Sequence, residues 1–342
     1  MANYQSLAVK YRPQTFSEVC GQTVTVKILE KIVEKRQFKN VYLFAGDSGC
    51  GKTTLARIFA KAINQGIGDP IEIDAASNNG VDNVRAIIES ANQRSLTGEY
   101  KIFIIDECHA ITTQGWQAFL KGIEEPPAYT IFMFCTTEPN KIPTTILNRV
   151  QRYNITKISS GRIRQRLEYI CKQEGFTNYE EAIDLISKNV HGCMRDAITY
   201  LDKCSDFSTD LDINNVRHII DLSSYEIMFN LTWALQDKNE GNVLNVVDQL
   251  SMTGTNLKAF VDNYLDFIIN LSKYNLFKDI SLTNIPSYLA TKDNPVVQQT
   301  VGEGNEGWFK DLVDLLLQIK LQIRYDNSYT TTIEAYLLSF CR

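Results

Sequence analysis

Val41-Tyr42-Leu43-Phe44-Ala45-Gly46-Asp47-Ser48-Gly49-Cys50-Gly51-Lys52-Thr53-Thr54 is the stretch whose reading decides the fold. It opens as an apolar, β-rich run, and Gly46 to Thr53 fit GxxxxGK[ST] at every fixed position. Beyond it Leu55, Ile58, Phe59, Ala62 and Ile63 recur at i, i+3, i+4, i+7 and i+8, the stripe of an amphipathic helix. Strand, glycine-rich loop and helix form the context in which this spacing carries chemistry. The glycines let backbone N–H groups curl around a phosphate, and the helix N-terminus adds partial positive charge. Lys52 is then placed to reach the β- and γ-phosphates of a nucleoside triphosphate, and the Thr53 hydroxyl to ligate Mg²⁺. Gly46, Asp47, Ser48, Gly49, Cys50, Gly51, Lys52, Thr53 and Thr54 are therefore the expected phosphate-binding residues. The bland alternative is a glycine-rich turn with a chance lysine. Average residue frequencies produce that in roughly one chain in a hundred of this length, before flanking strand and helix are required.

Outward from this loop the pattern repeats. Ile71–Asp74, Lys101–Ile105, Thr130–Thr136 and Gln151–Ile155 read as further strands. Between them lie helical stripes such as Trp116, Phe119, Leu120 and Ile123, which Pro126-Pro127 brings to an end. Strands alternating with amphipathic helices predict an α/β fold, a parallel sheet with helices on both faces. The third strand runs into Asp106-Glu107, placing two carboxylates at the C-terminal edge of the sheet, where open α/β sheets bind ligands. Asp106 is expected to hold Mg²⁺ through its shell and Glu107 to polarise an attacking water. After Ser160 the strand signals fade. Gly161–Gly175, Tyr179–Asn189 and Met194–Cys204 read as three helices, and the chain is helical again from about Ser223. The expected domains are residues 1–160, 161–222 and 223–342.

A chain of 342 residues can build two or three domains, and 44% hydrophobic with 22% charged residues excludes disordered and collagen-like classes. The longest apolar runs are too short to span a bilayer, and the N-terminus lacks a secretion signal, so a cytoplasmic protein without a membrane partner is expected. Eight cysteines occur with no CxxC pair, beside only three histidines. They read as free thiols, mostly in the core, and neither a zinc site nor a disulfide framework is expected. A net charge of −5 does not advertise a nucleic-acid binder, although a local basic patch remains compatible with it.

The wording of several segments resembles the gamma/tau motor subunits of bacterial sliding-clamp loaders, which are AAA+ ATPases. Leu7–Gln22 (LAVKYRPQTFSEVCGQ), the phosphate loop, Ile71–Gly80 (IEIDAASNNG), Asp106-Glu107-Cys108-His109, Glu124-Glu125-Pro126-Pro127 and Thr136–Leu147 (TTEPNKIPTTIL) stand in that family's order. The likeness is dense to about Asp202 and collinear to the end. It implies an AAA+ ATPase domain, a helical lid and a helical collar, with ATP and Mg²⁺ as ligands. Arg12 and Pro13 fall at the family's adenine-side element, Thr137 at its sensor-1 position and Arg195 at its sensor-2 arginine. Arg149 occupies the place of the arginine finger that reaches a neighbouring subunit, although Asn148-Arg149-Val150 replaces the family's Ser-Arg-Cys. Ser77, Asn78 and Asn79, which also offer helix-capping groups and free N–H donors, and Lys121 match positions that contact DNA. An ordinary cap and a solvated lysine are the bland readings of these.

Two departures stand out. The family's four-cysteine zinc module is replaced by residues 62–70, and the sequence stops without the long tail of the tau form, as in a compact version that a phage could encode. The partners implied are a sliding clamp, other loader subunits in a ring-shaped, pentameric assembly, and primer–template DNA, in a bacterial cytoplasm or an infected host cell. Two alternatives are weighed. One is another AAA+ remodeller of the branch-migration type, which the collar-like segment and the IEIDAASNNG and TTEPNKIP phrases disfavour. The other is a non-hydrolysing structural loader subunit, which Lys52, Thr53, Asp106 and Glu107 disfavour.

Overall fold

The computed structural model describes residues 5–213, 216, 223–252, 255–285, 287–291, 295–302, 306–323 and 329–342. The expected domain boundary at residue 222 lies outside them. Five strands, β1 (Val41–Gly46), β2 (Ile71–Asp74), β3 (Lys101–Asp106), β4 (Thr130–Thr136) and β5 (Gln151–Ile155), form one sheet in the order β2-β3-β4-β1-β5. Every pairing is parallel, with Val41 opposite Phe132, Tyr42 opposite Gln151, and Asp74 opposite Asp106. The α/β fold read from the alternating pattern is the fold observed.

The three inner strands are buried on both faces, which is why their sequences are continuous apolar runs. Val41, Leu43, Phe103, Ile105, Phe132 and Phe134 point to one side, where they pack with α4 (Val81–Ala91) and α5 (Thr113–Glu124). Their neighbours Tyr42, Phe44, Ile102, Ile104, Ile131 and Met133 point to the other, against α2 (Thr23–Lys35) and α3 (Lys52–Ile63). This is the period-two alternation of a pleated strand. The edge strands β2 and β5 are largely exposed.

The chain divides into two compact units, Met1–Glu174 with Val190–Asp202, and Gly175–Asn189 with Lys203–Arg342. The first holds the sheet, the short helices α1 (Leu7–Lys10) and α6 (Thr144–Leu147), α7 (Ser160–Glu174) and the start of α9 (Met194–Phe207). The second holds α8 (Glu180–Asn189), the end of α9 and, among the described residues, the α-helices α10 (Ser223–Gln236), α11 (Glu240–Met252), α12 (Leu257–Phe277), α13 (Val296–Thr300), α14 (Glu306–Gln322) and α15 (Tyr329–Cys341). Its core is built on Tyr264, Ile268, Phe309, Leu312 and Ile319. The Tyr264 hydroxyl lies 3.0 Å from that of Thr232, so a fully buried phenol keeps a hydrogen bond.

Candidate functional site

The first unit carries a cavity of about 470 Å³ at the C-terminal ends of β1 and β3. Its walls include Arg12, Pro13, residues 48–54, Asp106, Glu107 and Arg195, all expected from the sequence. Gly46 and Asp47 open the loop without lining the cavity, and the Asp47 carbonyl accepts a 2.9 Å hydrogen bond from Lys52 Nζ. Lys52 is only 6% exposed, so its ammonium rests on backbone rather than in water.

The glycines are needed for geometry. Gly51 has φ +103° and Gly49 φ +67°, both in the left-handed region that side chains rarely adopt. A Cβ on Gly49 would also fall 2.0 Å from Cys193 Sγ, and one on Gly46 2.0 Å from the Ile155 carbonyl oxygen. The loop is therefore clamped between β5 and the segment that carries Arg195.

The acid pair sits where the sheet order puts it. Thr53 Oγ1 donates to Asp106 Oδ2 at 2.7 Å, bringing a hydroxyl and a carboxylate side by side. Hard oxygen donors of this kind suit Mg²⁺. Glu107 follows with φ +47°, and its carboxylate oxygen Oε2 accepts from Thr137 Oγ1 at 3.1 Å. The sensor-1 candidate thus reaches the water-activating candidate across the adjacent strands β3 and β4.

Arginines also line the cavity. Burial, followed by the nearby guanidiniums of Arg57 and Arg195, lowers the pKa of Arg12. Of these, Arg12 and Arg195 line the cavity and suit an anion there, whereas Arg57 lies outside it, paired with Glu72. Arg166 also faces the cavity and donates to the Tyr11 carbonyl at 2.8 Å, fixing the segment before Arg12. Sequence reasoning missed Arg166, because one arginine among several in a polar helix has no local signature.

Other expected residues lie elsewhere. Arg149 does not line the cavity: it pairs with Glu124 at 2.8 Å and donates to the Thr145 carbonyl at 2.7 Å. Lys121 is exposed on α5. The capping role read into Ser77–Asn79 is not taken up. The side chains of Ser77 and Asn78 turn back to Asp74, and α4 has Gly80 as its N-cap, with no side-chain cap. The Asn79 carbonyl instead accepts from the backbone and hydroxyl of Thr112, the N-cap of α5, tying the loop to the helix that bears Lys121.

Six of the eight cysteines are buried and none is in a disulfide, and burial raises the Cys193 thiol to about 11 and raises Cys50 as well. Among the described residues, no group of three or more His, Cys, Asp or Glu side chains is placed to hold a metal, and no helix is long and apolar enough to cross a membrane.

Residues 69–159 match the family model for the DNA polymerase III delta subunit, and residues 162–205 that for the ATPase lid domain of the DNA polymerase III clamp loader subunit. The chain is 31% identical to DNA polymerase III subunit tau of Bacillus subtilis, over 99% of its own length and 64% of that protein's. It is 33% identical to subunit gamma/tau of Mycoplasma genitalium, over 82% of this chain and 51% of the relative. Against subunit gamma of Buchnera aphidicola subsp. Schizaphis graminum the identity is 27%, with 98% of both chains covered. The chain thus spans about half to two thirds of the length of the first two relatives. Among solved structures, the Thermotoga maritima RuvB Holliday junction branch migration motor superposes with a TM-score of 0.53 at 18% identity, covering 65% of this chain and 79% of that one. That likeness is one of fold alone.

Proposed function

Because the chain belongs to the gamma/tau family of DNA polymerase III clamp-loader subunits, we propose that it is the ATP-hydrolysing motor that opens a sliding clamp and loads it on primer–template DNA. The observation that carries this reading is the Thr53–Asp106 hydrogen bond at the mouth of the phosphate loop, with Glu107 beside it. A non-hydrolysing subunit has no need of that arrangement.

In this reading Lys52 leaves the Asp47 carbonyl for the β- and γ-phosphates, and the N–H groups of residues 48–54 cradle them. Thr53 and Asp106 would hold Mg²⁺, which when bound offsets charge on the phosphates. Glu107 takes a proton from the attacking water, and Thr137 keeps that carboxylate aimed. Arg12 and Arg195 flank the nucleotide, with Pro13 on its adenine side. Arg149 acts on a neighbouring subunit's γ-phosphate. The segment 161–222 serves as lid and 223–342 as collar in a pentameric ring with other loader subunits. Ser77, Asn78, Asn79 and Lys121 face the DNA channel, and no zinc is used. The site of action is the cytoplasm of a bacterium or an infected cell.

Hydrolysis assays with and without clamp and primed DNA test this. The wild type should hydrolyse ATP and be stimulated by both. Lys52→Ala should lose nucleotide binding and turnover together. Glu107→Gln should bind ATP and turn over at least about a hundredfold more slowly, the scale of a lost general base. Equal loss of binding in both variants would contradict the assigned roles.

A further inference from the structure

We propose that His109 is a positioning residue for Glu107, holding one oxygen of its carboxylate and tying it to the loop that follows β4. The proposal rests on the reading of Glu107 as the group that activates water. Its geometric basis is an asymmetry between the two carboxylate oxygens. Oε2 lies 3.1 Å from Thr137 Oγ1 and 3.3 Å from His109 Nδ1. Oε1 has no hydrogen bond or ion pair within the described residues. A carboxylate that must take a proton from water needs this division: one oxygen anchored, so that the side chain keeps a single direction, and one left for the water.

The imidazole is itself well held. Its side chain is 18% exposed, Nδ1 lies 3.3 Å from Thr136 Oγ1, and Nε2 lies 3.4 Å from Glu138 Oε1. Lys141 grips that same Glu138 oxygen at 2.9 Å, and the Glu138 backbone N–H donates to Thr136 Oγ1 at 3.0 Å. The ring therefore spans from the end of β3 to the segment after β4, and the tautomer that carries its proton on Nδ1 can donate it to Glu107 Oε2. Contacts of this length tighten as a substrate closes a site. A histidine that merely plugged the strand end would not have to present Nδ1 to the same oxygen that Thr137 engages.

The two ring nitrogens can be mimicked separately. The Asn amide nitrogen falls near the place of Nδ1 and the Gln amide nitrogen near that of Nε2. Steady-state hydrolysis over a range of ATP concentrations should be compared for wild type, His109→Ala, His109→Gln and His109→Asn. Affinity for a fluorescent ATP analogue should be measured in parallel. The alanine and glutamine variants should lose about tenfold or more in kcat, with KM and analogue affinity held within about twofold. His109→Asn should regain most of the rate. In a Glu107→Gln background, measured by single turnover, His109→Ala should add no further loss, because it acts through the missing carboxylate.

Wild-type turnover in His109→Ala, an asparagine variant no better than alanine, or a further loss in the Glu107→Gln background would each overturn the proposal. If His109→Ala does not fold, the comparison of asparagine with glutamine decides alone, and equal rates for the two would overturn it. A wild type that hydrolyses no ATP would instead sink the functional reading on which the proposal stands.

Discussion

Gly49 shows how a single hydrogen atom in place of a side chain shapes the site. Its backbone is left-handed at φ +67°, and the position of a Cβ is already taken, 2.0 Å away, by Cys193 Sγ. Gly51 has the more extreme φ of +103° but open space around it. The two glycines therefore separate strain from clash. Gly51→Ala should cost about 1–2 kcal/mol through conformation alone. Gly49→Ala should cost about 1–3 kcal/mol more, because the Cys193 segment must move, and Arg195 with it. Thermal melts should rank the variants in that order, and ATP-analogue binding should fall further for Gly49→Ala. Equal melting points would mean that the segment yields without cost. At this scale the phosphate loop was legible because its signal is local and needs eight residues. His109 was not, although Asp106-Glu107-Cys108-His109 was in plain view. Its role depends on the left-handed turn at Glu107 and on Glu138 and Thr136, which a different strand delivers.

The strands were legible as elements for a related reason. β1, β3 and β4 are buried on both faces, so each reads as an unbroken apolar run, whereas their order in the sheet leaves no mark on any one of them. The segment from Thr137 to Arg149 shows what the order brings. It starts at the contact with Glu107, passes through Glu138 and Lys141, and ends after α6 with a guanidinium on Glu124. Both partners of that last pair are more than 40% exposed, so the ion pair is worth at most about 1 kcal/mol and is easily given up for a better anion. A neighbouring γ-phosphate would be one. Mixing Arg149→Ala with Lys52→Ala subunits at varied ratios should therefore restore part of the turnover that neither has alone, since some interfaces then pair an intact loop with an intact arginine. No recovery despite verified mixed assemblies would place the action of Arg149 inside its own subunit. An arginine acting this way is worth roughly a thousandfold or more in rate, so even modest restoration is measurable.

At the scale of the molecule, one unit gathers every residue of the cavity, and the other is a helical body with its own core. In the first unit the strand order places β1 between β4 and β5, so Val41 finds Phe132 and Tyr42 finds Gln151. That arrangement has a consequence in time. During synthesis β1 leaves the ribosome before either of its flanking strands has been translated, and at about 5–20 residues per second it waits on the order of ten seconds for both. Until then its apolar residues and the loop beyond them have no sheet to rest on, and pairing so distant in sequence is slow to form. Ribosome-stalled chains that have emerged only as far as Pro127 should fail to retain a fluorescent ATP analogue and should be cut by protease near the loop. Chains emerged past Asp202 should bind and resist. Binding by the shorter chains would show that the loop can assemble without its neighbours. Otherwise the phosphate loop, translated before β2 to β5, becomes a nucleotide site only when its flanking strands have followed, and a bound nucleotide certifies that the first unit is finished.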